Sequence, residues 1–163
     1  MILGSCQPNV CQGIDDLSPW LGEISNFKEP GIWLFPELLI GGFDYGNKIN
    51  WSSLTNDVLK LFADFCNDTG HALAAGLWEN QEDAFYNSLY IMLPNWPKPK
   101  CIYQKCHLFP LSKEAQQLCP GRKLPRPVIW ENVTFGFGIC FDLRFPELFR
   151  YQNSQQIDVF LLC

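Results

Sequence analysis

No run of lysine and arginine occurs anywhere in the 163 residues, and the formal net charge is -5. A partner held through a phosphate backbone would leave an electrostatic footprint that is missing here, so nucleic acid is disfavoured. No apolar run approaches the length of a bilayer span, and the opening Met1-Ile-Leu-Gly-Ser-Cys6 has neither the basic flank nor the long apolar stretch of a secretion signal. A soluble cytoplasmic protein with no membrane partner is the expectation. Histidine is scarce: His71 and His107 stand alone, and the closest cysteine pairs, Cys6/Cys11 and Cys101/Cys106, have no second pair at zinc-finger spacing. No metal site is expected. The eight cysteines, at 6, 11, 66, 101, 106, 119, 140 and 163, are even in number, but without a secretion signal they read as reduced thiols. Internal repeats and low-complexity segments are absent as well. With 47% hydrophobic and 18% charged residues, the composition is that of one globular domain over 1–163.

What is present is organised around Gly136-Phe-Gly-Ile-Cys-Phe-Asp-Leu-Arg-Phe-Pro-Glu147, where an apolar run meets a cysteine and breaks into charge. Val133 to Ile139 has the composition of a buried strand, with two glycines where another backbone is expected to come close. Phe145-Pro-Glu147 reads as a helix start, with proline in the first turn and an acid near the positive end of the dipole. A strand-to-helix elbow of this kind presents Cys140 at a sheet edge beside free backbone N–H groups, which can hold an oxyanion while the thiolate acts as nucleophile. For an isolated cysteine, a core thiol ending a strand is the commoner outcome. Partners decide between the two.

The rest of the chain alternates strands and helices, which indicates α/β architecture with covered sheets. Ile2 to Gln7 reads as a strand. Ser18-Pro19 opens a helix with serine as cap, which would place Trp20, Ile24 and Phe27 on one face. Ile32 to Pro36 is buried strand. Thr55 to Asn67 is the clearest helix, with Val58, Leu61, Phe62, Phe65 and Cys66 as its stripe and Gly70 as its stop. Further strands are expected at Ala72 to Trp78, Phe85 to Leu93 and Cys101 to Lys105, with a turn at Glu79 to Asp83.

Three of these segments deliver a charged residue. Glu37 follows a strand and is flanked by Phe35, Leu38, Leu39 and Ile40, which predicts a poorly hydrated carboxylate suited to proton transfer. The loop Gly41-Gly-Phe-Asp-Tyr-Gly46 then has the make-up of a pocket mouth. Lys105 ends a strand between Tyr103 and Leu108-Phe109, where an ammonium stays charged by facing a carboxylate and can meet a developing oxyanion. The next loop, 111–121, offers a second carboxylate, Glu114, weighed equally against a solvated surface acid. Arg144 is expected to pair with Glu147 or Asp142, the functional alternative being a grip on a substrate carboxylate. His107 is expected to be a satisfied loop histidine.

Taken together, Phe35-Pro-Glu37, Tyr103-Gln-Lys-Cys-His-Leu-Phe109 and Gly138-Ile-Cys-Phe-Asp-Leu-Arg-Phe-Pro-Glu147 resemble, in order and spacing, the three signature segments of the nitrilase superfamily, the carbon-nitrogen hydrolases. Ala74-Ala-Gly76, Tyr86-Asn-Ser88 and Pro120-Gly121 extend the resemblance between them. Cys-Phe-Asp-Leu-Arg-Phe-Pro and His-Leu-Phe are most similar to the omega-amidase and Nit-type amidase branch, whose members deamidate small monoamides of dicarboxylic acids. The resemblance implies an α/β fold, a four-layer αββα sandwich. It implies Cys140 as nucleophile, Glu37 as general base then acid, Lys105 and the Phe141 backbone N–H as oxyanion stabilisers, and Glu114 as a second carboxylate near the site. The implied substrates are a small-molecule amide and water, with no cofactor, and the implied assembly is a homodimer or larger. Nitrile or N-carbamoyl hydrolysis on the same triad, and an inactive chain serving as an interaction module, are the alternatives. Because Ile157-Asp-Val-Phe-Leu-Leu-Cys163 ends the chain in a strand-like apolar stretch, the expectation is about the first three fifths of such a fold, incomplete at the C-terminus.

Overall fold

The computed structural model describes residues 1–82 and 84–163; Asp83, part of the expected turn, lies outside them. Two sheets carry the fold. The first is built from β1 (Ile2–Ser5), β2 (Gly31–Leu34), β3 (Ala72–Gln81), β4 (Ala84–Met92) and β5 (Lys100–Gln104), in the order β1-β2-β3-β4-β5. The pairs β1/β2 and β2/β3 are parallel, while β3/β4 and β4/β5 are antiparallel. The second contains β6 (Val128–Trp130), β7 (Val133–Gly138) and β8 (Val159–Leu162) in that order, with β6/β7 antiparallel and β7/β8 parallel. Parallel neighbours need crossovers. α1 (Ser18–Ile24) lies in the connection between β1 and β2, α2 (Lys48–Thr69) in that between β2 and β3, and α4 (Pro146–Asn153) in that between β7 and β8; the short α3 (Glu114–Gln117) lies between β5 and β6.

The layering follows from β3. Successive strand side chains point to opposite faces, so Leu73, Ala75 and Leu77 pack with Leu21, Ile24, Val58 and Phe62 of the helices, while Ala72 and Ala74 pack with Phe135, Phe137 and Leu161 of the second sheet. Burial on both faces explains why β3 reads as an apolar run without alternation. On the far side of the second sheet, α4 buries Leu148 and Gln152. The result is an αββα sandwich. Gln152 stands in for a neighbouring strand: its amide donates to the Phe137 carbonyl at 2.7 Å and its carbonyl accepts the Phe137 N–H at 2.7 Å.

Several local expectations are corrected. α2 begins at Lys48, a full two turns before Thr55, because Trp51 and Leu54 pack against the core without forming a clean stripe. Its end is as expected, with Gly70 in the left-handed region at φ 75. In α1 the buried residues are Leu21 and Ile24, with Leu17 just before them, and Ser18 makes no side-chain cap. The helix stops at Ile24, so Phe27 leaves its face and packs against Trp33, with the ring centroids 4.8 Å apart and the planes tilted by 52°. At Gly136 and Gly138 the close neighbours are side chains rather than the expected backbone: a Cβ would fall 2.6 Å from the Phe160 ring at 136, and 3.0 Å from Leu162 and 3.2 Å from the Phe149 ring at 138.

The turn after β2 is what aims Glu37. Phe35 N–H bonds the Ala74 carbonyl at 2.8 Å, Gly76 N–H the Pro36 carbonyl at 3.1 Å, and Leu39 N–H the Gly76 carbonyl at 2.9 Å, with Leu38 forced to φ 47 between them. Glycine is required at 76, where a Cβ would lie 2.5 Å from the Glu37 Cα. Gly76→Ala is therefore expected to destabilise the fold by about 1–3 kcal/mol, as other overpacked sites do. Urea denaturation followed by circular dichroism measures this, and an unchanged midpoint would show that the backbone can yield there.

Candidate active site

Lys105 continues the ladder one residue beyond β5: its N–H donates to the Asn87 carbonyl of β4 at 2.8 Å and its carbonyl accepts the Gly121 N–H at 2.9 Å. Only 1% of the lysine is exposed. Its Nζ lies 3.1 Å from Glu37 Oε2 and 2.9 and 3.0 Å from the two oxygens of Glu114. Burial works against the ammonium, but Glu37 and then Glu114 overcome it and hold the Lys105 pKa above its ordinary value.

The two carboxylates are held differently. Glu114 opens α3 and is 1% exposed, which removes the reading of it as a solvated loop acid. Both of its oxygens are occupied: Oε1 by Lys105 and Asn87, Oε2 by Lys105 and by the Phe109 N–H at 2.7 Å. Glu37, with 8% of its side chain exposed, engages Lys105 and Asn87 through Oε2 alone. Its Oε1 takes no nitrogen donor among the described residues. That oxygen is open towards the cavities that Glu37 lines.

Cys140 closes the arrangement from the second sheet. After β7 and Ile139 the chain enters a 3-10 turn, Cys140–Arg144, with Cys140 in the left-handed region at φ 43, and then α4. The Cys140 N–H bonds the Cys163 carbonyl at 2.6 Å and the Asp142 N–H bonds Ile139, while the Phe141 N–H finds no acceptor among the described residues. It is one of the unpaired donors that a helical start always leaves. Burial pushes the Cys140 thiol up to about 11; a hydrogen bond to Glu37 and the Glu37 charge add to the rise, Lys105 opposes it and Glu114 adds slightly. The shift keeps the Cys140 thiol protonated near neutral pH, and Cys140 lines the same two cavities as Glu37. Cys163 also borders the site, its thiol pushed upward by burial first and Glu37 second.

Two cavities meet at Glu37 and Cys140. One, of about 430 Å³, is lined by Tyr45, Lys105, Phe109 and Glu114; the other, of about 550 Å³, by Val10, Phe43, Leu143 and Leu162. Phe43, which borders both, and Tyr45 belong to the loop expected at a pocket mouth. Arg144 is the misplaced expectation. It is exposed, lines neither cavity and makes no ion pair among the described residues, whereas Asp142 is fully buried and bonds the Ile139 N–H at 3.0 Å and His107 Nδ1 at 2.7 Å. His107 stacks on Phe145 at 3.7 Å and so latches the segment after Lys105 to the elbow. None of the eight cysteines is in a disulfide. Among the described residues, no helix is long and apolar enough to cross a membrane and no cluster of three histidine, cysteine or carboxylate residues could hold a metal ion.

The sequence model described as carbon-nitrogen hydrolase matches residues 30–162. The chain belongs to the carbon-nitrogen hydrolase family. Among its relatives in this family, an (R)-stereoselective amidase of Pseudomonas sp is 29% identical over 119 residues, 72% of this chain and 42% of that protein. A 2-oxoglutaramate amidase of Paenarthrobacter nicotinovorans is 26% identical over 152 residues, 87% of this chain and 50% of that protein. The crystal structure of a carbon-nitrogen hydrolase from Helicobacter pylori G27 superposes with a TM-score of 0.83 at 17% identity, over 99% of this chain and 59% of that one, which establishes the carbon-nitrogen hydrolase fold. The chain therefore spans about half the length of the curated relatives it matches.

The site contains one residue that was not singled out in the sequence: Asn87, wholly buried in β4 and bonded to both carboxylates. The signal was an amide inside the apolar run Phe85 to Leu93. The electrostatics of this family site make a measurable prediction. Alkylation of Cys140 by iodoacetamide, followed residue by residue by mass spectrometry, should rise about tenfold per pH unit from pH 7 to 10 because only the thiolate reacts. Glu37→Gln should accelerate the reaction at fixed pH and Lys105→Met should slow it. A plateau near neutral pH would contradict the neutral resting thiol.

Proposed function

We propose that the chain carries an amidase site that cleaves a small carboxamide to acid and ammonia through a cysteine thioester. The observation that carries this reading is the asymmetry of Glu37, with one oxygen pinned by Lys105 and Asn87 and the other free of nitrogen donors where Glu37 and Cys140 line the same two cavities. Glu37 takes the thiol proton as Sγ attacks the amide carbon. The carbonyl oxygen gains negative charge next to Lys105 Nζ and the open Phe141 N–H, donors placed before the charge develops. Glu37 then returns the proton to the amide nitrogen, the C–N bond breaks, and ammonia leaves a Cys140 thioester. Water, deprotonated by the same carboxylate, adds to the thioester and releases the acid while the thiol regains its proton. Glu114, with both oxygens occupied, is a fixed charge that holds Lys105 in place and does not shuttle protons.

The walls bear on which amide fits. Among the described residues lining the two cavities Lys105 is the only cation, and two carboxylates already hold it. This favours an uncharged acyl group such as a short aliphatic amide. The omega-amidase-like reading, a dicarboxylate monoamide, is the second; the name of the 2-oxoglutaramate amidase supports it, and it requires a cation other than Lys105 for the distal carboxylate.

Ammonia release from a panel of short neutral amides, dicarboxylate monoamides, nitriles and N-carbamoyl compounds tests the proposal. Turnover of amides is expected, abolished by Cys140→Ala and reduced about a hundredfold or more by Lys105→Ala, as when an oxyanion donor is lost. Carbon dioxide released along with ammonia would point to carbamoyl chemistry. Silence across the panel from a folded chain with an alkylatable Cys140 would reject enzyme activity for these residues alone.

A further inference from the structure

We infer that Asn87 is a positioning residue which holds Glu37 in the one orientation that couples it to Cys140. This rests on the reading of Glu37 as the group that accepts the Cys140 proton.

Around Lys105 two carboxylates converge on one ammonium, so the three formal charges sum to -1 on side chains that are themselves almost wholly buried. Like charges so placed repel strongly where solvent does not screen them. Asn87 relieves this from β4. Its Nδ2 donates one N–H to Glu37 Oε2 at 2.9 Å and the other to Glu114 Oε1 at 3.2 Å. The orientation of the amide is not arbitrary: the flipped form would press Oδ1 against two carboxylate oxygens. In the observed form Oδ1 is buried with no hydrogen-bond partner among the described residues. A buried acceptor left without a donor is costly, and here the cost is carried so that both N–H groups can face the acids. The same residue's main-chain carbonyl fixes the Lys105 N–H at 2.8 Å, so a single position in β4 sets the ammonium's backbone and both its counter-charges.

The chemistry also explains why the residue is asparagine. Serine and threonine have one donor, aspartate adds a third negative charge, and the longer glutamine would displace one of the acids. Only a short primary amide offers two fixed donors, one to each carboxylate. With Oε2 held from two sides by Lys105 and Asn87, Glu37 cannot rotate freely, and Oε1 is the oxygen left for the thiol.

A double-mutant cycle read by alkylation, which needs no turnover, tests this. Rates of Cys140 modification by iodoacetamide at pH 8.5 are compared for the parent chain, Glu37→Gln, Asn87→Ser and the double variant, with circular dichroism confirming that each is folded. Asn87→Ala, which removes both donors without adding charge, is run in the same cycle in case the serine variant fails to fold. In the parent, Glu37→Gln should accelerate modification about tenfold, since one pH unit in the thiol's midpoint is tenfold in thiolate at fixed pH. In both Asn87 backgrounds the acceleration should fall below about threefold, because Glu37 no longer sits against the thiol. The same tenfold acceleration in folded Asn87 variants would overturn the inference while leaving Glu37 as the base. No acceleration in any background would overturn both.

Discussion

The Lys105 ammonium, sealed between Glu37 and Glu114, is the interaction on which the site depends. It joins the turn after β2, the end of β5 and the start of α3 at one point, with β4 contributing Asn87. Buried ion pairs of this kind contribute little net stability, since desolvation offsets most of the attraction, but removing one member leaves an uncompensated charge worth about 3–5 kcal/mol. The cluster is thus all or nothing, and this makes its geometry sharp. The positive φ values at Leu38 and Cys140 belong to the same economy. Each costs on the order of 1–3 kcal/mol and persists only where the surrounding structure over-determines it.

That surrounding structure is the interface between two sheets. Glu37 and Lys105 project from the first sheet, Cys140 from the second, and the distance between Glu37 and Cys140 is set by how Ala72, Ala74, Leu89 and Ile91 pack on Phe135, Phe137 and Leu161. The small residues in β3 are as informative as the large ones. Ala72, Ala74 and Gly76 allow the opposing layers to approach, and at Gly76 the neighbour is the Glu37 backbone itself. Core packing and site geometry are therefore one constraint. The His107–Asp142 pair, stacked on Phe145, ties the segment after Lys105 to the elbow that carries Cys140.

Much of this is legible in the sequence because the three charged or nucleophilic groups share one local signature, an apolar strand running directly into a reactive residue. Glu37, Lys105 and Cys140 each end such a run. The α/β architecture with covered sheets is legible for a similar reason, from strands without alternation separated by a striped helix, whereas the αββα layering comes only from the resemblance to the nitrilase superfamily. What stays hidden has long-range causes. In the loop 111–121 the residues alone leave Glu114 evenly balanced between a site carboxylate and a solvated acid, and the fold decides it by burying Glu114 against Lys105. Gln152 and Asp142 look like surface residues and are buried, because each satisfies backbone N–H groups left open by the second sheet and its elbow. Arg144, read as the partner of Asp142, loses it to His107. The first two turns of α2 and the departure of Phe27 from α1 escape periodicity, since packing of single aromatics decides them.

The resting state of Cys140 shows why the two carboxylates need different surroundings. A cysteine paired with an imidazolium is stored as thiolate; here the charges around the thiol sum to -1, and burial with Glu37 keeps its proton on. In the proposed reaction, nucleophilicity must then be produced in the same step as attack, by a carboxylate that can accept a proton at that moment. A base with both oxygens saturated by donors could not do so, and a base with neither held would not stay aimed. Glu114 meets the first description: four contacts fix it as a counter-charge for Lys105. Glu37 lies between the extremes, with one oxygen anchored and one open. On that proposal, the division of labour between two chemically identical groups follows from how many donors each one faces, and a thiol that remains neutral until a substrate carbonyl arrives is the consequence.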